Sequence, residues 1–389
     1  AKSEPNGAKV FFFFFEKSTA TTTVRFLNEC EYEVMLTKDG YYDWSKRLPI
    51  EPGQVTYAQE GVDQVQLIKK SEPKIIAASG VKSFVLINNT AWYVNGFDVV
   101  KTDINNPEEK TTTTLPFPPD SLTLLRDKRH IVARAGAALS IIDTSNFSVS
   151  SLPSGTGISD DIVVIGSQVM YRENYQVKMY DIISKNIVSV RSDTTAFTML
   201  GTTAYFIDNN RTAQGGVTIN SALWNGSDFV DFQTILGNVN IKEFFFNKLI
   251  ITDSKELFVQ NDNLFYRVAE DELELLTSSL ISAKLDLKTN ELTFSSSSEL
   301  WFYNFKTNKP QLLTRGTVSP HDKLIRSSIG YGFIAGDSGL ELVEIDTRDK
   351  QNRYQILKDA PVYQISITEN QKTVLALQNG SLVSYEIRD

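Results

Sequence analysis

The chain has 389 residues and a formal net charge of −8, and it contains no long run of basic residues. That pattern excludes the electrostatic footprint of a nucleic-acid-binding protein. Hydrophobic residues make up 41% and aromatic residues 11%, which is typical of a folded, strand-rich protein. The single cysteine, Cys30, excludes an intrachain disulfide, and no apolar stretch is long enough for a transmembrane helix.

The first predicted elements are the strands of a small module at residues 1–70. The segment EYEVMLTKDG places Tyr32, Val34 and Leu36 on one face of a half-buried strand, and its Asp39–Gly40 pair predicts a turn. A module of this size needs large side chains to bury enough apolar area. The residues after the turn are therefore predicted to be core, with exposed aromatic binding of a sugar as the alternative: Tyr42, Trp44, Leu48 and Ile50.

The motifs in this module resemble those of the PEGA domain, a small β-sandwich found in bacterial surface proteins. The matching positions are Pro5, Gly7, Ala8 and Val10, then Tyr32, Val34 and Leu36, then Gly40, Tyr41, Trp44 and the Pro52–Gly53 turn. The resemblance implies an extracytoplasmic location, on the bacterial cell surface or in the periplasm. Because the sequence starts without an initiator Met, we expect a processed or truncated N-terminus and a membrane anchor ahead of it.

Five consecutive phenylalanines, Phe11–Phe15, depart from the family pattern, which has an apolar strand and a Gly-bearing turn here. Strand alternation cannot bury all five, and exposed consecutive phenylalanines promote aggregation. The run is either a partner-facing patch or an error in the sequence, and the pattern leaves both open.

A different pattern follows a short linker at residues 71–74. Short apolar runs bounded by Gly, Asn, Asp or Ser recur without helical periodicity, which predicts an all-β structure. Eight of these runs end in a carboxylate or an amide, and successive ends lie about forty residues apart, the size of a four-stranded propeller blade. We call these residues the marks, and an Asp or Asn that ends a third strand can accept backbone hydrogen bonds in the turn. The marks are Asp103, Asp143, Asp181, Asn225, Asn261, Asn304, Asp346 and Glu386.

The repeats resemble bacterial β-propellers of the TolB-like and WD40-like type. Ser319–Lys323 is similar to the Ser-Pro-Asp-Gly-Lys turn that opens many of their blades, with His321 and Asp322 departing from it. We predict an all-β fold in which a PEGA-like β-sandwich at 1–70 precedes a β-propeller at 75–389, with eight blades or, alternatively, seven. Because the last repeat lacks a fourth strand, residues 74–79 are predicted to pair with the C-terminal blade and close the ring.

Candidate residues for chemistry are few. His130 and His321 have no second histidine at metal-ligand spacing, so both are predicted to be solvated turn residues. Cys30 has no basic neighbour and is predicted to lie at a turn, and the loop 208–216 offers one carboxylate, fewer than a tight calcium site needs. We therefore predict no catalytic, cofactor-binding or metal-binding residue, and no cofactor.

Three functions follow from this pattern. The first is a non-catalytic cell-surface or envelope protein whose propeller binds a protein or a cell-envelope glycan, held off the envelope by the PEGA-like module. The second is a propeller-type hydrolase or lyase, which needs two channel carboxylates within about 5–10 Å of each other. The third is a self-assembling surface-layer or filament component, which rests on Phe11–Phe15 alone. We expect the first, with no nucleic-acid partner and with membrane contact only through the N-terminal anchor.

Overall fold

The computed structural model describes residues 2–12, 15–19, 28–51, 55–59, 64–153, 158–210, 216–239, 246–270, 272–287, 290–315 and 323–389. Every regular element in these ranges is a β-strand, which confirms the all-β prediction. The same ranges contain no helix that is long and apolar enough to cross a membrane. The chain forms two compact units, unit 1 with Ala1–Asn95, Val100–Thr111 and Ser298–Asp389, and unit 2 with Gly96–Val99 and Thr112–Ser297.

The N-terminal module lies in unit 1 and has one four-stranded sheet of order β3-β2-β4-β5 and a short parallel pair, β1 with β6. Its described strands are β1 (Ser3–Glu4), β2 (Lys9–Phe12), β3 (Phe15–Thr19), β4 (Cys30–Thr37), β5 (Trp44–Ile50) and β6 (Val65–Gln66). Val34, Leu36, Trp44 and Leu48 are buried in one core, as predicted, and Tyr32 packs against it. The β-sandwich and the PEGA identity of this module stay predictions.

The prediction that Tyr42 belongs to the module's core is wrong. Tyr42 precedes β5, its backbone N–H donates to the carbonyl of Ile68 at 2.8 Å, and its ring packs against a core built by C-terminal strands. Ile50, the last residue of β5, is only half-buried. Alternation applies within a strand, and these two positions lie before its start and at its end.

Strand β7 (Lys74–Ala77) follows the module, and eight four-stranded sheets account for it and the remaining described strands. In each sheet the strands pair in chain order, and β7 completes the last one. Sheet I contains β8 (Val81–Ile87), β9 (Thr90–Asn95), β10 (Asp98–Asp103) and β11 (Lys110–Thr114); sheet II, β12 (Ser121–Leu124), β13 (His130–Ala135), β14 (Ala138–Asp143) and β15 (Val149–Ser151); sheet III, β16 (Ile158–Ile165), β17 (Gln168–Glu173), β18 (Gln176–Asp181) and β19 (Ile187–Arg191); sheet IV, β20 (Thr194–Leu200), β21 (Thr203–Asn210), β22 (Gly216–Trp224) and β23 (Phe229–Val239). Sheet V contains β24 (Lys248–Ile251), β25 (Leu257–Asn261), β26 (Leu264–Val268) and β27 (Leu273–Thr277); sheet VI, β28 (Ser282–Asp286), β29 (Glu291–Ser295), β30 (Glu299–Asn304) and β31 (Lys309–Arg315); sheet VII, β32 (Lys323–Arg326), β33 (Tyr331–Gly336), β34 (Gly339–Glu344) and β35 (Arg353–Lys358); sheet VIII, β36 (Val362–Ile367), β37 (Thr373–Gln378), β38 (Ser381–Glu386) and β7.

The last sheet takes its fourth strand from the other end of the repeats. β7 pairs antiparallel with β38, with Lys74 opposite Ser384, Ile75 opposite Val383 and Ala77 opposite Leu382. This pairing satisfies an edge of β38 that would otherwise be exposed. The domain boundaries at 1–70, 71–74 and 75–389 and the number of blades stay predictions.

The marks behave as turn caps at most positions. Six of them accept the backbone N–H of the residue two positions later at 2.7–3.1 Å, which confirms the predicted turn role. These are Asp103, Asp143, Asp181, Asn225, Asn304 and Asp346. Asn261 is a correction, because it ends the second strand of sheet V rather than the third.

Sheets VII and VIII share a core in unit 1. Buried side chains such as Tyr331, Phe333 and Tyr385 build it, and Ile68 of the N-terminal module is fully buried in the same cluster. The module therefore contributes directly to the apolar interior of these two sheets.

Candidate functional site

One strand edge of the N-terminal module lies against a loop of sheet VII, and both belong to unit 1. The strand is β5, which pairs with β4 on its other side and is the last strand of its sheet. The loop is residues 345–352, between β34 and β35. Gln351 fastens the loop, because its amide donates to the carbonyls of Leu313 at 2.8 Å and Glu344 at 2.7 Å. We call the meeting of β5 with residues 344–352 the docking contact.

Side chains of the loop satisfy the free backbone edge of β5. The Asn352 amide accepts from the N–H of Ser45 at 3.4 Å and donates to the carbonyl of Ser45 at 3.2 Å. The Asp349 carboxylate accepts from the N–H of Arg47 at 2.8 Å. Because an unpaired strand edge exposes a row of donors and acceptors, these contacts take the place of a neighbouring strand.

Lys46 is the centre of the docking contact, and its side chain is fully buried. Its ammonium donates to the backbone carbonyls of Asp346 at 2.6 Å and Arg348 at 2.9 Å. The same nitrogen is 3.4 Å from a carboxylate oxygen of Glu344 and 3.4 Å from one of Asp346, and both of these side chains are also buried. Arg348 completes the set by pairing with Asp346 at 2.7 Å. The buried Lys46, Glu344 and Asp346 thus compensate each other's charges together with the half-buried Arg348, in a place where an unpaired charge is costly.

Glu344 also joins the core of the module to this cluster. The indole N–H of Trp44 donates to Glu344 Oε1 at 2.9 Å, and Asn352 Nδ2 donates to Glu344 Oε2 at 2.7 Å. Burial raises the pKa of the Glu344 carboxyl, and the charge of Lys46 and the two donors oppose that rise. The sequence prediction put Trp44 in the core, and its bond to a buried carboxylate is an addition from the structure.

Tyrosines of sheet VII form a second row of contacts beside this cluster. The Tyr354 hydroxyl donates to the carbonyl of Asp43 at 3.2 Å, and the Tyr331 hydroxyl donates to the carbonyl of Gln66 at 3.1 Å. The ring of Tyr42 lies with its centroid 5.2 Å from that of Tyr354. Burial raises the pKa of both Tyr331 and Tyr354 well above the usual value, so both stay neutral donors.

The residues that leave the module bind strand β38 and the residues after it. The Lys69 N–H donates to the carbonyl of Ile387 at 2.9 Å, and the Lys69 ammonium binds Glu386 at 2.9 Å and Asp389 at 3.0 Å. Tyr41 donates a hydrogen bond to the carboxylate of Asp389. Burial and this bond to Asp389 raise the pKa of Tyr41 to about 12.

His130 is not the solvated turn residue that the sequence predicted. It opens β13, its side chain is only 12% exposed, and Nδ1 lies 2.5 Å from a carboxylate oxygen of Asp127. Nε2 is 3.8 Å from Asp143, which Arg129 also binds. The bond to Arg129, opposed by burial, lowers the pKa of Asp143. Asp127 precedes the strand by three residues and Asp143 faces it, so strand pairing buries the imidazole between them.

The other predicted positions do not converge on one site. His321 and the rest of the Ser319–Asp322 turn lie outside the described residues, as do Pro52, Gly53, Phe13 and Phe14. Cys30 is exposed, as a turn residue would be, but it opens β4 opposite Ile50, so the turn prediction is wrong. Asp208, the carboxylate of the predicted 208–216 loop, lies in β21, where it binds Arg191, Thr194 and Asn220. Among the described residues no group of three or more His, Cys, Asp or Glu side chains is arranged to hold a metal ion.

No family model matches this sequence. No curated protein matches it either. Among solved structures, the C-terminal WD40 domain of Sif2 is similar, with 12% identity, a TM-score of 0.54, and coverage of 80% of this chain and 98% of that one. A structure described as the eukaryotic initiation factor has 10% identity and a TM-score of 0.51, and the match covers 83% of this chain and 92% of that one.

PorZ of Porphyromonas gingivalis, described as a bacterial surface component of the type-IX secretion system, matches with a TM-score of 0.46 at 14% identity. That match covers 79% of this chain and 42% of PorZ. At this score the likeness does not bear on function or location. The likeness to the WD40 domain shows a β-propeller fold, and at such low identity it shows the fold alone.

Proposed function

We propose that this chain is a non-catalytic protein of the bacterial cell surface or envelope. Its propeller is a platform that binds a protein or a cell-envelope glycan, and its PEGA-like module holds that platform off the envelope. Propellers commonly serve as binding scaffolds, because a ring of sheets presents many loops on one rigid frame. The envelope location rests on the PEGA resemblance of residues 1–70, and the module would then be the part nearest the anchor.

The observation that weighs against the hydrolase, and so favours the non-catalytic role, is the burial of two neighbouring carboxylates at the docking contact. Glu344 and Asp346 both lie 3.4 Å from the same lysine nitrogen, so they are near neighbours of the kind that acid–base hydrolysis requires. Their side chains are fully buried, and they are bound to Lys46, Trp44 and Arg348. Two carboxylates enclosed in this way stabilise the fold and do not face a substrate.

A substrate panel tests the non-catalytic part of the proposal. The purified protein is incubated with chromogenic glycosides and with lactones. We expect the glycosides to release their chromophore, and the lactones to open, no faster than in buffer alone. Turnover that follows the protein through purification and is lost on substituting an exposed carboxylate would overturn this part and favour the hydrolase.

Protease treatment of intact cells tests the location. The gene with its native upstream sequence is expressed in its own host. We expect external protease to degrade the protein on intact cells if it lies on the surface, or after the outer envelope is opened if it lies in the periplasm. A protein that survives until the cytoplasmic membrane is broken would overturn the envelope location. A periplasmic maltose-binding protein and a cytoplasmic protein serve as matched controls for the two compartments.

A further inference from the structure

We infer that the docking contact is a receptor surface for the module, specified by Lys46, which holds the module in one fixed orientation even without a covalent link. The inference gives the module of the proposed function a rigid orientation, and in that sense rests on that function. A spacer on a flexible tether would let sheets VII and VIII turn freely relative to the module. The contacts below describe a docked part instead.

The first step is the matching of backbone edges. Asn352 binds both the N–H and the carbonyl of Ser45, and Asp349 binds the N–H of Arg47. These three bonds fall on alternate residues of β5, as bonds from a neighbouring strand would. They therefore fix the position of β5 along the loop, and not only its distance from it.

The second step concerns the charge of Lys46, which lies between Ser45 and Arg47 in β5. Because β5 stays paired with β4, a slip of the module by one residue along the loop would move Lys46 by about 3.3 Å and break the backbone bonds of the first step. The buried carboxylates of Glu344 and Asp346 would then lose the Lys46 ammonium, and a buried charge that loses its partner is strongly destabilising. The register that places Lys46 on the loop is thus the one that leaves no buried charge unpaired.

The third step is the shortness of the free connection. The Lys70 N–H donates to the carbonyl of Gly40 at 2.8 Å and the Lys69 N–H to that of Ile387 at 2.9 Å, so the chain is held until it leaves the module. β7 starts at Lys74 and is paired with β38. Only residues 71–73 lie between these two fixed points, and they are half-buried or exposed.

A cleavable linker tests the inference in the full chain. A site for a specific protease replaces residues 71–73, and the protein is cut and then run on a size-exclusion column over a dilution series. We expect the module to elute with the rest of the chain. For Lys46→Ala we expect the dissociation constant to rise by at least about a hundredfold, since removing one partner of a buried charge cluster is strongly unfavourable.

Arg47→Ala is the matched control, because Arg47 is the next residue of β5, its side chain is exposed, and its contact uses the backbone N–H. We expect it to elute like the parent protein. Asp349→Ala removes one exposed acceptor and leaves the charge cluster intact, so it provides a milder variant if Lys46→Ala does not fold. We expect Asp349→Ala to raise the dissociation constant less than Lys46→Ala. Separation of the module from the cut parent protein at micromolar concentration, or equal retention in all variants, would overturn the inference.

The fixed orientation has its own test in the uncut protein. Cys30 is exposed and is the one cysteine of the chain, so a spin label placed on it and a second on Glu369→Cys report the distance between the module and sheet VIII. We expect one narrow distance distribution, and a broad one would contradict a fixed module. Neither experiment depends on the partner or the cell compartment, so a failure of the proposed function would leave both results unchanged.

Discussion

Asp181 and Asp346 are both marks that cap the turn after a third strand, but one lies at the surface and the other is buried. Asp181 accepts the N–H groups of Ile183 at 3.1 Å and Ser184 at 2.7 Å and closes a short turn at the surface of sheet III. Asp346 accepts the N–H of Arg348 at 3.0 Å in the same way, but its side chain is fully buried and close to Lys46.

The difference lies in the length of the connection and in what covers it. Residues 182–186 join β18 to β19, whereas the longer segment 345–352 joins β34 to β35. The added residues include Asp349 and Asn352, which bind the edge of β5. The same kind of turn cap is thus part of a docking contact where its loop is longer and a lysine of the module lies against it. The same carboxylate serves local structure in one sheet and long-range structure in another.

Removing the two carboxylates separately gives the largest expected contrast. Asp346→Ala removes the carboxylate that Lys46 and Arg348 share and leaves Glu344 alone to balance the buried Lys46 cluster, so we expect it to lower the free energy of unfolding by about 3–5 kcal/mol. Asp181→Ala loses turn bonds that water can replace, so its loss should be much smaller. Urea unfolding of both variants measures the difference, and equal losses would show that the two turns are equivalent.

Two tryptophans that donate to glutamates sharpen the contrast. Trp44 donates to Glu344 in a buried place at 2.9 Å, and Trp301 donates to Glu299 at 3.2 Å, where Trp301 is half-buried. A hydrogen bond to a charged group contributes about 1.5–3 kcal/mol, and the smaller phenylalanine ring also leaves a void. Trp44→Phe should therefore lower the free energy of unfolding by at least that amount. Trp301→Phe is the matched control and should lose less. Chemical denaturation followed by circular dichroism gives both values, and a larger loss at Trp301 would contradict the docking contact.

The tyrosine row predicts a smaller effect. Tyr354→Phe deletes one hydroxyl bond to the backbone of Asp43 and should cost about 0.5–1.5 kcal/mol. Tyr175→Phe, at a 49% exposed tyrosine on a turn of sheet III, should change the free energy of unfolding by less than about 0.5 kcal/mol. The comparison uses the same denaturation experiment. If the two variants were indistinguishable, the Tyr354 hydroxyl would contribute nothing to docking.

The repeating strands were predictable because their information is local. Short apolar runs, turn residues and a period near forty residues predict the four-stranded repeats and the cap at Asn304 without any long-range input. Val34 and Leu36 were assigned to the core for the same reason. The error at Asn261 has the same origin, since a pattern of an apolar run and an amide does not say which strand of a sheet it ends.

The docking contact was not predictable, because its residues are some three hundred positions apart. Lys46 stands on the same face of β5 as Trp44 and Leu48, so alternation places it on the buried face, but nothing near it in the sequence names a carboxylate partner. A second signal is the length of the segment 345–352, which is longer than the other connections that follow a mark. Its acidic and amide side chains are hydrogen-bonding groups, but only the fold shows what they bind. His130 was misassigned similarly, since Asp143 reaches it through strand pairing.

The pH dependence of stability provides the finest test, because the two regions should respond with opposite signs. Hydrogen bonds from the backbone N–H of Ser184 and from the hydroxyls of Ser167 and Ser184 lower the pKa of Asp181 from its usual 3.8. The stability that the Asp181 carboxylate contributes is therefore present above pH 3.8, the usual pKa, and is lost as the pH falls through the lowered pKa of the folded state. Burial raises the pKa of Glu344 above its usual 4.5, so its contribution is fully present below 4.5 and declines as the pH rises through the raised pKa.

Unfolding free energies from about pH 3 to about pH 7 of the parent protein, Asp181→Asn and Glu344→Gln separate the two cases. With rising pH, the stability difference between the parent and Asp181→Asn should grow, whereas that between the parent and Glu344→Gln should shrink. If both differences grew, Lys46 and the donors around Glu344 would outweigh its burial. The docking contact would then gain stability from the charge of Glu344, and the two turns would differ in the size of that effect but not in its sign.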